Sequence, residues 1–243
     1  MLNEKLDSST ALSCEAELAL LCRILARGGY CDNIAGHITY AQPDGTMLVN
    51  PFELLWEEVK ASDILRMDKE GRKLAGKWSV TVAIPLHIEA HKLRSDIVVA
   101  VHNHPRWATI WANVGRVPPV YDQTSAYIDT PTLFDEYRGA VDDAEIARET
   151  AAAMGDGGCT LLKNHGVFVI GQSIRQAHLR AVALETRCRV AWHVEVLGNG
   201  TTMVPAVAQQ LSKIVDTADV HAMPHFWDTA VRREIRLDPT VLD

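Results

Sequence analysis

Residues 97–105 read Ile97-Val98-Val99-Ala100-Val101-His102-Asn103-His104-Pro105. The first five are apolar and mostly β-branched, the composition of a buried strand. Side chains two apart on a strand share a face. The imidazoles of His102 and His104 are therefore expected side by side at the strand's end, where Pro105 stops the ladder. A lone buried histidine is usually a hydrogen-bonded core residue. Two on one face at the end of a strand have the pattern of metal ligands.

Upstream, residues 14–26 read as a helix, with Ser13 as N-cap and Gly28-Gly29 ending it. Short strands are expected at 37–41 and 46–49 around a Pro43-Asp44-Gly45 turn, and at 64–68 and 72–75 around Lys69-Glu70-Gly71. Residues 85–94 read as a helix with Pro85 in its first turn. Downstream, helices are expected at 106–114 and 142–154, with 117–129 irregular or extended between them. Strands at 159–163 and 167–170 flank Asn164-His165-Gly166. In the long helix expected at 173–197, Ile174, Ala177, Ala181, Leu184, Cys188 and Ala191 recur at spacings of three and four and form one apolar stripe. Residues 206–236 read as two further helical segments. Helices interleaved with hairpin-like strands suit an α/β or α+β domain with a mixed or antiparallel sheet.

With 243 residues, 47% hydrophobic and 23% charged, the chain can bury a substantial core. No apolar run is long enough for a membrane span. The start, Met1-Leu2-Asn3-Glu4-Lys5-Leu6-Asp7, lacks the pattern of a signal peptide. A net charge of −7 argues against general nucleic-acid binding. Five cysteines without a C-x-x-C pair suit a reduced, cytoplasmic protein.

A metal site needs a third ligand, and His165 is the best candidate, between two apolar strands with Gly166 allowing a close backbone approach. Three imidazoles with an open fourth position suit a catalytic divalent metal, Zn²⁺ first and Mn²⁺ as the alternative.

His102-Asn103-His104-Pro105 and Lys163-Asn164-His165-Gly166 resemble the histidine motifs of the class II aldolases and the adducin head domain. So does the region Asn50-Pro51-Phe52-Glu53-Leu54-Leu55, followed by Ala61-Ser62-Asp63-Ile64-Leu65 and Asp68-Lys69-Glu70-Gly71. The likeness spans about 13–198, in the right order. It implies one α/β domain of three α/β/α layers, with a mixed, mainly antiparallel sheet, over 1–243. Residues 199–243 would form a helical tail. It also implies one metal ion per chain on His102, His104 and His165, and a homotetramer with sites between subunits.

The departures from that family narrow the chemistry. Sugar-phosphate aldolases carry a glutamate ligand and base four residues before the position of His87; here it is Ala83, which can do neither. Where they have Ser-Gly-Asn, Pro-Ser-Gly and Ser-Ser, this chain has Ala35-Gly36-His37, Pro51-Phe52-Glu53 and Thr81-Val82. The donors that would hold a phosphate are mostly replaced. Decarboxylation needs no base to remove a carbon-bound proton, because CO₂ leaves instead, and some family members resemble decarboxylases of hydroxylated aromatic or pyridine carboxylic acids. The expected activity is a metal-dependent carbon–carbon lyase, a decarboxylase of a non-phosphorylated, aromatic hydroxy acid. Tyr121 or Asp122 is the candidate proton donor. His37, Phe52 and Arg106 are candidate substrate contacts, Arg106 through its planar fork, and Trp78 and Trp107 are candidate walls. The alternatives are an aldolase of an unphosphorylated hydroxy-oxo acid and a non-enzymatic scaffold like the adducin head. The partner expected is a small carboxylic acid, not nucleic acid or membrane.

His87 and His91, four apart on a helix, have a zinc-binding spacing but lack a third ligand. His221 and His225 are likewise four apart, on what reads as an exposed helix; a tail of this kind can cover a neighbour's site.

Overall fold

The computed structural model describes residues 12–135 and 143–243. The expectations about residues 1–7, and the start of a helix at 142, lie outside the described residues. In chain order the elements are α1 (Cys14–Arg27), β1 (His37–Ala41), β2 (Met47–Val49), β3 (Leu65–Met67), β4 (Lys73–Ala75), α2 (Pro85–Leu93), β5 (Val99–Asn103) and α3 (Arg106–Val114). They continue with β6 (Thr132–Phe134), α4 (Ala144–Ala153), β7 (Cys159–Leu162), β8 (Gly166–Gly171), α5 (Ile174–Leu197), α6 (Pro205–Ser212) and α7 (Pro224–Leu237). The strands form an eight-stranded sheet in the order β4-β3-β2-β1-β5-β8-β7-β6. β6 runs parallel to β7, and the other neighbouring pairs are antiparallel.

Period-two alternation gives the sheet its two faces. Val99 and Val101 of β5 and Val167 and Val169 of β8 point into the core shared with α1, α3, α5 and α7. Ala100, Phe168 and Ile170 point the other way, against Leu86 and Ala90 of α2 and Ala147 and Ala151 of α4. The result is the three-layer α/β/α arrangement with a mixed, mainly antiparallel sheet. Ser13 caps α1 by accepting the Ala16 N–H at 3.1 Å, as its position suggested.

Two features go beyond the expectations. β6 has no period-two signal of its own; it is defined by pairing with β7 and packs only half-buried residues. In α5 all six residues of the apolar stripe are buried, but so are Arg180, Glu185 and Arg187. Those charges are tolerated because each is bonded. Arg180 donates to the Ile170 carbonyl at 2.8 Å, Arg187 to the Pro118 carbonyl at 2.8 Å, and Glu185 accepts from the start of α3. Among the described residues, no helix is long and apolar enough to cross a membrane.

His178, also on α5, lies edge-on to Trp227 of α7, with its Nδ1 buried and unbonded. Burial, and secondarily the charge of Arg233, push its pKa down to about 4. Between pH 6.5 and 4 the unfolded chain takes up a proton that folded His178 refuses. Its contribution to stability is therefore complete above pH 6.5 and lost as pH falls toward 4, by about 1.4 kcal/mol per unit. Denaturant titrations of the parent and His178→Phe should diverge over this window, the variant losing less stability on acidification. Parallel pH profiles would contradict this.

Candidate metal centre

The register of three central strands assembles the cluster. β1 pairs with β5 so that His37 stands opposite His102, and β5 pairs with β8 so that Asn103 stands opposite Val167. The β7–β8 turn carries His165, with Asn164 in the left-handed region at φ 56°, a conformation asparagine tolerates better than most residues. The strand ends at Asn103, one residue earlier than the sequence suggested. The Asn103 side chain takes the His104 N–H at 2.7 Å, and Pro105 cannot extend the ladder.

The imidazoles of His102, His104 and His165 converge. Ring centroids are 4.7 Å apart for His102 and His165, 4.9 Å for His104 and His165, and 5.2 Å for His102 and His104. One ring nitrogen from each lies within 4.8 Å of the others. His102 donates from Nδ1 to the Val167 carbonyl at 2.9 Å, which leaves its Nε2 with a lone pair. His104 Nδ1 lies 2.7 Å from the Asp32 carboxylate, which can only accept while ionised, so this ring too presents Nε2. That Nε2 is buried and without a hydrogen-bond partner. An orphaned buried nitrogen is costly in a packing histidine and is what a metal ligand needs. Carboxylate or carbonyl support on the far nitrogen is the usual arrangement behind metal-bound imidazoles. Burial pushes the pKa of His102 well below the usual range and that of His165 to about 4, so both are neutral at neutral pH. The residues fit a divalent ion.

Asp32 gave no signal in the sequence, since it lies in a loop far from either histidine motif. Its replacement by alanine should lower metal affinity by about 10- to 100-fold, read by competition with a chromogenic chelator. An unchanged affinity would make the Asp32 contact a mere surface ion pair.

The segment after His104 is clamped by α5, the helix that packs beside α3 on the same face of the sheet. Glu185 of α5 accepts the Trp107 and Ala108 N–H groups, both at 2.9 Å. These are orphan donors of the first turn of α3, and a carboxylate there also suits the helix dipole. This fixes where α3 begins, and hence the chain direction leaving His104.

Of the other predicted site residues, His37 is brought to the cluster, with its ring 4.9 Å from that of His102. The rest are not joined to it by any hydrogen bond or ring contact among the described residues. Phe52 is exposed and pairs its N–H with the Ser79 carbonyl. Arg106 is exposed over the Trp107 ring. Tyr121 is half-buried close to Gly200, and Asp122 accepts from the N–H and hydroxyl of Ser125, capping a short turn. The candidate walls also go elsewhere: Trp78 donates to Asp63 at 2.9 Å, and Trp107 packs on Trp192 and His193. His225 is exposed beside Asp228.

The profile of the class II aldolase and adducin N-terminal domain matches residues 16–192, and the chain belongs to that family. A 3,4-dihydroxyphthalate decarboxylase from Arthrobacter keyseri is 32% identical over 201 residues, covering 77% of this chain and 81% of that protein. A 4-hydroxy-3-prenylphenylpyruvate oxygenase/4-hydroxy-3-prenylbenzoate synthase from Streptomyces roseochromogenus subsp. oscitans is 28% identical over 200 residues, covering 80% of this chain and 72% of that protein. A solved aldolase II superfamily protein from Pseudomonas syringae superposes with a TM-score of 0.83 at 23% identity over 94% of both chains, which shows the shared fold.

Proposed function

We propose that this protein is a metal-dependent carbon–carbon lyase that decarboxylates a non-phosphorylated, aromatic hydroxy-carboxylic acid. One observation carries the proposal: three converging imidazoles are retained while Ala83 stands where the sugar-phosphate aldolases carry their glutamate base. The likeness to a dihydroxyphthalate decarboxylase supports it.

His102, His104 and His165 would hold the ion, Zn²⁺ by first choice and Mn²⁺ as the alternative. The ion would supply Lewis acidity toward substrate oxygen. The Val167 carbonyl and Asp32 hold His102 and His104 with Nε2 directed away from their supports. His37, opposite His102 on the neighbouring strand, contacts the substrate. Its place in the family is that of an asparagine in the phosphate pocket, and a buried imidazole suits an uncharged hydroxyl better than a phosphate. Asp122 is committed to Ser125, so Tyr121 is the better proton donor to the carbon that loses CO₂. It would reach the site from a neighbouring copy in a homotetramer. Phe52 and Arg106 would likewise contact substrate only in such an assembly.

The test is CO₂ release by metal-loaded protein from hydroxybenzoic, phthalic and pyridine carboxylic acids. Stoichiometric CO₂ with the matching decarboxylated ring is the expected result. Pyruvate or an aldehyde without CO₂ would make the protein an aldolase. No turnover of any acid would favour a scaffold role.

A further inference from the structure

Away from the histidine cluster, α5 buries a guanidinium that the protein itself only partly satisfies. Arg187 is 5% exposed. Its Nε donates to the Pro118 carbonyl at 2.8 Å. Among the described residues, neither of its terminal nitrogens has a hydrogen bond or an ion pair. The other two buried arginines of the described chain commit theirs. Arg23 donates to Asp238 at 2.7 Å and to the Glu58 carbonyl at 3.3 Å. Arg180 donates from Nη1 to the Ile170 carbonyl at 2.8 Å and to the Gln176 side chain at 3.1 Å. A buried cation without a countercharge is costly. Burial accordingly pulls the pKa of Arg187 below its ordinary value, with no described carboxylate to oppose it.

Arg187 lines a cavity of about 700 Å³, a size that suits a small organic ligand. The walls come from separate parts of the chain. Val120 and Ile128 lie between α3 and β6, Met203 precedes α6, and Ala208 is on α6. These parts are tied together before any ligand arrives. The Met203 N–H donates to the Val120 carbonyl at 2.8 Å, the Pro118 carbonyl holds Arg187, and the turn at Thr124–Ala126 packs against both α5 and α6. The cavity thus has apolar sides and a cationic fork fixed at a buried position. It shares no lining residue with the three converging histidines. Asp129 also lines it, but is exposed and makes no ion pair with Arg187. Its negative charge opposes a multiply charged anion more than a singly charged one.

We propose that this cavity is a second ligand site, apart from the histidine cluster, that binds a small organic monocarboxylate through the terminal nitrogens of Arg187. The guanidinium fork matches a carboxylate with two parallel N–H···O bonds, which fixes the ligand's orientation. The carboxylate supplies the countercharge that the protein does not. The ligand's apolar body lies against Val120, Ile128 and Met203. A neutral amide of the same shape leaves the buried charge uncompensated and binds more weakly. The site does not depend on the reaction at the histidines, so it stands or falls separately from the decarboxylase assignment.

The experiment is isothermal titration of the full chain with benzoate and with hexanoate, in zinc-loaded and in chelator-treated protein. At least one of the two should bind with a Kd of about 1 mM or tighter, in both preparations. Arg187→Met exchanges an unpaired buried charge for an apolar chain, which proteins tolerate well; it should weaken binding by about 10- to 100-fold. Ala208→Phe fills the cavity without touching Arg187 and should do the same at unchanged metal content. Benzamide and inorganic phosphate should bind at least about 10-fold more weakly than the carboxylate. Should Arg187→Met not fold, Arg187→Lys keeps the charge without the fork and reads the same loss. Binding of neither carboxylate, binding only with zinc, a preference for phosphate, or full affinity in the folded Arg187 variant would each overturn the proposal. Sedimentation checks the other occupant, a second copy of the chain. An oligomer that dissociates in Ala208→Phe while benzoate affinity persists would make this face a subunit contact and end the proposal.

Discussion

His102→Ala protein should retain almost no divalent metal after dialysis, against about one ion per chain in the parent, when both are measured by elemental analysis. Catalytic sites of this kind hold their ion with three protein ligands, and two imidazoles do not replace three. Removing a ligand should cost more than removing a supporting residue, so affinity should fall by well over about 100-fold and the proposed activity with it. The substitution also strips the Val167 carbonyl of its donor at 2.9 Å and opens a small void at a buried position. A stability loss of about 1–3 kcal/mol should accompany it, so circular dichroism must first establish that the variant is folded. Full metal content in folded His102→Ala would remove this residue from the ligand set.

Gly166→Ala should be nearly as damaging without touching any functional group. A Cβ at Gly166 would lie 2.5 Å from the Asn103 carbonyl oxygen and 2.5 Å from His104 Cδ2. Neither can yield cheaply, because Asn103 is paired with Val167 inside the sheet and His104 is held by Asp32. The methyl must push the β7–β8 turn away from β5, which carries His165 away from its two partners. Overpacking of this kind should cost about 2–3 kcal/mol, or a fall in melting midpoint of about 5–10 °C. Metal retention should drop alongside. A variant with the parent's melting point and metal content would show that the turn has room which the backbone geometry denies it.

The legible parts of the fold were those with strong local signals. The stripe on α5, the Ser13 cap, the β1–β2 turn and the run into His102 each follow from side-chain periodicity or from backbone restrictions of a few residues. β6 was not legible because three half-buried residues beside β7 have no alternation to read. The histidine cluster was legible as residue types: two histidines at strand spacing and a third beside a glycine. Its supports were not, because Asp32 and the Val167 carbonyl act on histidines 72 and 65 positions away in the chain. His87 and His91 could be seen as a pair on one helix face. That the pair is consumed by hydrogen bonds to Thr39 and His37 rather than by a metal depends on how α2 lies across β1.

The sequence by itself determined the alternation that gives the sheet two apolar faces, the helix that closes each face, and the three imidazoles placed at or beside strand ends, since these depend on neighbours within a few residues. Only the tertiary structure decided which nitrogen each imidazole presents, because a tautomer is chosen by the donor or acceptor on the far side of the ring, and those partners arrive from distant strands, helices and loops.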